Sequence, residues 1–315
     1  MKSDLKLHAP SLHFERIRSQ PGVQVSNHLV IVLLMFWIYI FCTIFGEQVA
    51  ATVIMLIAQF AGFDWGKYRD AELVMELFLT TVCIGLTIVC CCGIESRPLR
   101  TMYLTRRKML PDYLTGVLLG FGLMTVVVLA AWGSGAVRLE GIHRLRHPVW
   151  MLLLIIGWII QGFSEELTFR GFLMTSVGTH HSVWLAVAVS AVNFAALHFA
   201  NAGFSVFAAV NLILFGVVTS LYVLRTGSIW GAAAMHSVWN WAQGNFYGMQ
   251  VSGIRTDSTV FRFMQTGKAV WIGGGVFGLE AGAATTAVLL LTAVILLFMP
   301  QRKENDTEDM TNGTV

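Results

Sequence analysis

Three charged side chains, Glu165, Glu166 and Arg170, stand inside a run that is otherwise lipid-like, with Met151 to Ile160 before them and Gly171 to Met174 after. His198 lies deep in a second apolar run, and His236 with Asn240 in a third. An ionised side chain at the centre of a membrane costs roughly 2.5–3.5 kcal/mol even on the lenient insertion scales. Three charges in one span therefore imply a polar site enclosed by helices. Carboxylates, imidazoles and an amide are the residue types that hydrolysis uses.

Spacing gives these residues separate tasks. On a helix, residues four apart share a face and adjacent residues point about 100° apart. Arg170 is thus placed to pair with Glu166, while Glu165 is turned away and lacks that partner. A paired carboxylate keeps its charge, whereas an unpaired one in a dry pocket is suited to general-base work. Glu165 reads as the base and Glu166 as the anchor of Arg170. A purely structural ion pair would account for Glu166 and Arg170 but not for Glu165. Because the apolar run continues past Arg170, the helix is expected to continue too. Phe194 and His198 share one face of the next helix, and a lone histidine there is more often structural than catalytic. His236 and Asn240 share a face of a third. Together they can aim N–H donors at one point, as a side-chain oxyanion hole requires; an interhelical hydrogen bond worth about 0.6–2 kcal/mol is the plainer alternative. In helices of alternating direction, all four depths meet in the middle zone, which is the co-location an active site needs.

The elements that must position them are membrane spans. The 315 residues are 56% hydrophobic and 12% charged, with a mean hydropathy of +0.67. A soluble domain carries about 25% charged residues. The expected fold is all-α, a polytopic bundle of about eight transmembrane helices, with candidate spans at 29–63, 71–93, 111–133, 149–177, 183–201, 203–224, 228–249 and 282–299. The first contains Gly46-Glu47-Gln48, so it is either one long helix or a span plus an interfacial segment. The chain divides into a polar arm at 1–27, N-terminal spans at 28–148, a catalytic core at 149–250, a loop and last span at 251–300, and a polar tail at 301–315.

Eight spans place both termini on one side. With both in the cytoplasm, inner segments carry twelve Lys and Arg and outer segments eight, the Arg106-Arg107-Lys108 cluster contributing most to the bias. A net charge of +3 is too small to argue for nucleic acid. The five cysteines, three of them consecutive (Cys90, Cys91, Cys92), have neither zinc-finger nor disulfide spacing and read as small buried hydrophobes. His180 and His181 are expected at an interface, Asn211 in a packing hydrogen bond, and Glu280 at the start of the last helix, where a carboxylate suits the dipole and an accessory role is the alternative. Asn305 and Asn312 fit the glycosylation triplet but fall in the tail expected to be cytoplasmic.

Glu-Glu-x-x-x-Arg, Phe-x-x-x-His and His-x-x-x-Asn, in that order on hydrophobic helices, resemble the CPBP intramembrane protease family, which holds the type II CAAX prenyl endopeptidases and the bacterial Abi proteins. All three patterns match fully, within about 80 residues and so over roughly a quarter of the chain. The first three spans lie outside the resemblance. It implies a membrane endopeptidase, in a bacterial cell membrane by its bacterial members, in which Glu165 and His198 activate a water. By the same resemblance, His236 and Asn240 hold the oxyanion, and Glu166, Arg170 and Phe194 support the site. The implied partners are the lipid bilayer and a peptide or membrane-protein substrate, prenylated or not. No cofactor is expected. The rivals are a zinc hydrolase with Glu165, His198 and His236 as ligands, a proton-coupled transporter, and a silent immunity scaffold. Against the zinc reading stand the missing His-Glu-x-x-His and an idle Asn240. Against the transporter stands the lack of any internal repeat.

Overall fold

The computed structural model describes residues 8–65, 70–143 and 148–302. Lys2, Lys6, Lys67, Arg69, Arg144, Arg146, Lys303 and the triplets at Asn305 and Asn312 lie outside them. The chain runs α1 (His8–Arg18), α2 (Leu29–Phe60), α3 (Asp70–Ile88), α4 (Met109–Gly133), β1 (Val137–Ile142), α5 (Pro148–Glu166), α6 (Met174–His180), α7 (Val183–Leu197), α8 (Val206–Thr226), α9 (Trp230–Trp241), β2 (Phe261–Gln265), α10 (Val270–Gly273) and α11 (Ala283–Phe298). The wide-turned π segment Leu167–Leu173 joins α5 to α6, so one helical rod spans Pro148–His180 and the helix does continue past Arg170.

Five rods are long and apolar enough to cross a bilayer: Leu29–Phe60, Asp70–Ile94, Met109–Gly133, Pro148–His180 and Val206–Thr226. The other three expected spans form shorter helices, α7, α9 and α11. The protein is a polytopic helical membrane bundle. Residues 29–60 form a single 32-residue helix, which settles the ambiguity at Glu47. Large apolar side chains face outward along the rods, among them Val30, Phe41, Leu118 and Leu152. They have hydrocarbon rather than water as their natural solvent. The bundle also holds an element not foreseen in an all-α reading. β1 and β2 pair antiparallel with a bulge between Leu139 and Gly141, tying the segment after α4 to the loop before α11.

Close helix contacts set the frame around α9. It packs against α4 and α5, while α5 packs on α3 and α8 lies between α7 and α11. Lipid tails are as apolar as leucine, so membrane helices associate through tight packing at small residues. An added Cβ at Gly120 of α4 would lie 3.0 Å from Met235 Cα, and one at Gly162 of α5 would lie 2.8 Å from the Ser237 amide nitrogen. These glycines let three backbones touch.

The two ends of the described chain meet at one end of the bundle. Arg302 forms a two-pronged ion pair with Asp112 at the start of α4, and its amide donates to Arg225 O at the end of α8. Within the polar arm, α1 docks on the bundle: Phe14 and Ile17 are buried, and Phe14 fills the space that Gly178 of α6 leaves open. His13 Nε2–H donates to Thr101 O at 3.2 Å, and its ring lies tilted against that of Tyr103 with centroids 4.5 Å apart.

Burial holds the His13 pKa down at about 4, helped by the nearby Arg97 and Arg16 cations, against the backbone bond that raises it. A histidine with a depressed folded-state pKa stabilises its contact above its free value of 6.5 and loses that contribution as pH falls towards 4. Limited proteolysis of α1 should accelerate between pH 6.5 and pH 4 in the wild type. His13→Gln should remove most of that pH dependence.

Candidate active site

The rod that begins at Pro148 carries the charged centre. Gly162 brings α5 against α9, and the next turn presents Glu165 and Glu166 on adjacent faces. Glu166 is wholly buried. Its Oε1 accepts Arg170 Nη1 at 3.1 Å and His236 Nδ1 at 2.8 Å. The pairing of Glu166 with Arg170 is as the spacing predicts; the second bond, from α9, was not foreseen. Arg170 is also fully buried, and its Nε and Nη2 have no hydrogen-bond acceptor. The face of Phe194 compensates, with the guanidinium carbon 4.6 Å from the ring centre.

Glu165 points away from that pair, as expected, and lines a cavity of about 620 Å³. Its Oε2 has no hydrogen-bond partner. The nearest basic atom is His236 Nε2 at 3.6 Å, so His236 stands between the two glutamates, bonded to one and facing the other. Because Nδ1 donates to Glu166, Nε2 is the ring nitrogen left for the cavity.

His198 was expected deep within a span. Instead α7 stops at Leu197, and His198 is the first residue beyond it. The chain then turns, closed by the Asn201 amide donating to His198 O at 3.0 Å and by Gly203 in the left-handed region at φ +79°. His198 still shares a face with Phe194, the rings 4.9 Å apart, and it lines the cavity with Glu165 and His236. His198 Nδ1 lies 2.9 Å from Phe194 O. A carbonyl only accepts, so Nδ1 carries the hydrogen and Nε2 offers its lone pair. Phe194 thus touches Arg170, His198 and, at 5.8 Å, His236. It orders all three.

Asn240 lines the cavity one turn beyond His236, and one of its N–H groups donates to Gln161 Oε1 at 3.1 Å. Gln161 was missed, although a glutamine four residues before Glu165 in an apolar helix was a legible signal. Three further carboxylates on the wall were also not assigned: Glu47 of α2 and Glu72 and Glu76 of α3. Their helices precede the matching patterns, so spacing within the core could not reveal them. Glu280 sits on a tight turn, Leu279–Ala281, ahead of α11 rather than inside it, and it too lines the cavity. Asn211 donates to Glu280 O and Gly282 O, the packing role expected of it, and His180 bonds to Val25 O outside the cavity. Among the described residues, no three His, Cys, Asp or Glu side chains are grouped closely enough to hold a metal.

Removing one partner from a buried ion pair leaves an uncompensated charge and costs about 3–5 kcal/mol. Arg170→Met should therefore lower the thermal unfolding temperature of the detergent-purified protein strongly. Adding Glu166→Gln to that variant should recover much of the loss.

Residues 147–242 match the family model described as type II CAAX prenyl endopeptidase Rce1-like, and the chain carries an Rce1-like domain over that stretch. The family is the one that the three patterns resemble. The chain is also 35% identical over 98 residues to an uncharacterized protein, YyaK, of Bacillus subtilis (strain 168). That alignment covers 29% of this chain and 32% of YyaK, so the chain spans about a third of the length of the curated relative it matches. No solved structure matches.

Proposed function

We propose that this protein is an intramembrane endopeptidase that hydrolyses a peptide bond with a water activated by Glu165 and His198. The observation that carries the reading is the unequal state of two neighbouring carboxylates. Each keeps its Oε2 without a hydrogen-bond partner, but Glu166 is wholly buried with its Oε1 taken by Arg170 and His236, while Glu165 lines the cavity. A carboxylate with a free oxygen next to a space large enough for peptide and water is placed to act as a base. The match of residues 147–242 to a prenyl endopeptidase family points to the same chemistry.

In this mechanism Glu165 takes a proton from the water, with the His198 Nε2 lone pair as second acceptor, and the hydroxide attacks the scissile carbonyl carbon. The oxyanion that forms accepts from the second N–H of Asn240 and from His236 Nε2 in its imidazolium form. Both groups are held beforehand, Asn240 by Gln161 and His236 by Glu166, and donors fixed in advance stabilise a developing charge without reorganising. Collapse of the tetrahedral intermediate breaks the C–N bond, and the proton returns from Glu165 or His198 to the leaving amine.

The substrate in this reading is a membrane-borne peptide or protein, prenylated or not, and the chain acts as a multi-pass protein of a bacterial membrane. Both termini lie in the cytoplasm, on the side of Arg106, Arg107 and Lys108. No step above requires a metal. Zinc chemistry at Glu165, His198 and His236 is the rival to be tested, and it leaves Asn240 without a task.

The test is cleavage of a panel of prenylated and unprenylated membrane peptides by detergent-purified protein, with and without a strong chelator. Glu165→Gln should lower kcat by about 10²–10⁴ and Asn240→Ala by about 10²–10³, with the wild type indifferent to chelator. Activity abolished by chelator and restored by zinc would overturn the metal-free mechanism. Full activity in Glu165→Gln would overturn the role of the glutamate.

A further inference from the structure

His198 caps the end of α7, its amide donating to Ala195 O and its Nδ1 to Phe194 O, so its helix holds it from one side only. It follows the last residue of α7, and the turn after it is tied to a distant part of the chain. The Asn201 side chain donates from Nδ2 to Ser252 O at 3.2 Å. Ser252 is in turn gripped by the Glu280 carboxylate, whose Oε2 accepts both its amide, at 2.6 Å, and its hydroxyl, at 2.9 Å. The neighbouring Gly253 amide donates to Phe277 O at 2.9 Å. A continuous hydrogen-bonded chain thus runs from Glu280 through Ser252 and Asn201 to the carbonyl of His198.

Two features set this chain apart from ordinary loop packing. Ser252 has φ +48°, in the left-handed region that side chains other than glycine avoid. Such a conformation persists where its surroundings over-determine it, and here Glu280 and Asn201 hold the residue from opposite sides. Glu280 is itself buried, its backbone fixed by Asn211, and it lines the same cavity as His198. Burying a carboxylate is expensive. Two donors from one serine are a specific return for that expense.

We propose that Glu280 is a positioning residue for His198, acting through Ser252 and Asn201. This rests on the protease reading above, in which His198 is a proton acceptor whose ring nitrogen must meet the attacking water. A displacement of about 1 Å in such a group can cost on the order of 10²-fold in rate. Glu280 sits outside the matched stretch 147–242, so the C-terminal turn completes a site that the core alone leaves open at His198.

The experiment pairs two readouts on wild type, Glu280→Ala, Glu280→Gln and Asn201→Ala. Hydrogen–deuterium exchange of the segments 198–204 and 250–254 reads the link without any substrate, and peptide cleavage reads its consequence. Glu280→Ala and Asn201→Ala should speed exchange in both segments. They should also lower kcat by about ten- to a hundredfold at unchanged KM. Glu280→Gln keeps an oxygen that can accept both Ser252 donors, so it should stay close to wild type in both readouts. Unchanged exchange in Glu280→Ala overturns the link. Faster exchange with kcat intact reduces Glu280 to a structural role, and a raised KM at unchanged kcat makes it a substrate contact instead. Should Glu280→Ala not fold, Asn201→Ala cuts the same chain from the other side. A wild type that cleaves nothing in the panel removes the protease reading and the catalytic half of this proposal with it, while exchange still decides the link.

Discussion

One buried carboxylate oxygen, Glu166 Oε1, receives both a guanidinium from its own helix and an imidazole from α9. In a low-dielectric interior an unpaired charge is heavily penalised, so all three groups must arrive together or not at all. That requirement explains the packing around them. Gly162 lets α5 approach α9 closely enough for His236 to reach Glu166, and Gly120 brings α4 against the other side of α9. Phe194 lays its face over the guanidinium edges that lack acceptors. The ion pair is a constraint on the bundle, and the close approaches at Gly162 and Gly120 are how these helices meet it.

From this constraint follows a division of labour between adjacent glutamates. Residues next to each other on a helix face about 100° apart. If Glu166 is turned into the helix interface, Glu165 must be turned out of it, here into the cavity. His236 connects the two environments through its two nitrogens, one committed and one open. The arrangement fixes the orientations of a carboxylate, an imidazole and an amide at one cavity, and the mechanism proposed above draws on that prior ordering.

Several of these relations were legible in the residues. The separation of four between Glu166 and Arg170 predicts their pairing, and it occurs. Phe194 with His198, and His236 with Asn240, share faces as the period requires. The helical membrane bundle also agrees with the pattern of apolar runs, five rods being long and apolar enough to span and shorter apolar helices packing beside them. Other relations were not legible. The bond between His236 and Glu166 joins residues 70 positions apart, and helical periodicity carries no information across helices. The end of α7 at Leu197 could not be seen because Ala196 to Ala202 is nearly as apolar as the helix before it. The strand pair of β1 and β2 was hidden for a similar reason, each strand being short and its partner far away.

The sequence by itself determined that this chain is a helical membrane bundle, which polar residues stand within its apolar runs, and which face of the helix each occupies. These are local properties: hydropathy over about 20 residues and a period of 3.6. The tertiary structure alone decided that His236 lies between both glutamates, that Gln161 holds Asn240, and that Glu47, Glu72, Glu76 and Glu280 line the same cavity as the core. The reason is physical. A side chain's direction on a helix follows from its own backbone, but what it meets is set by how closely and at what depth neighbouring helices pack, and that is the collective outcome of every interface in the bundle.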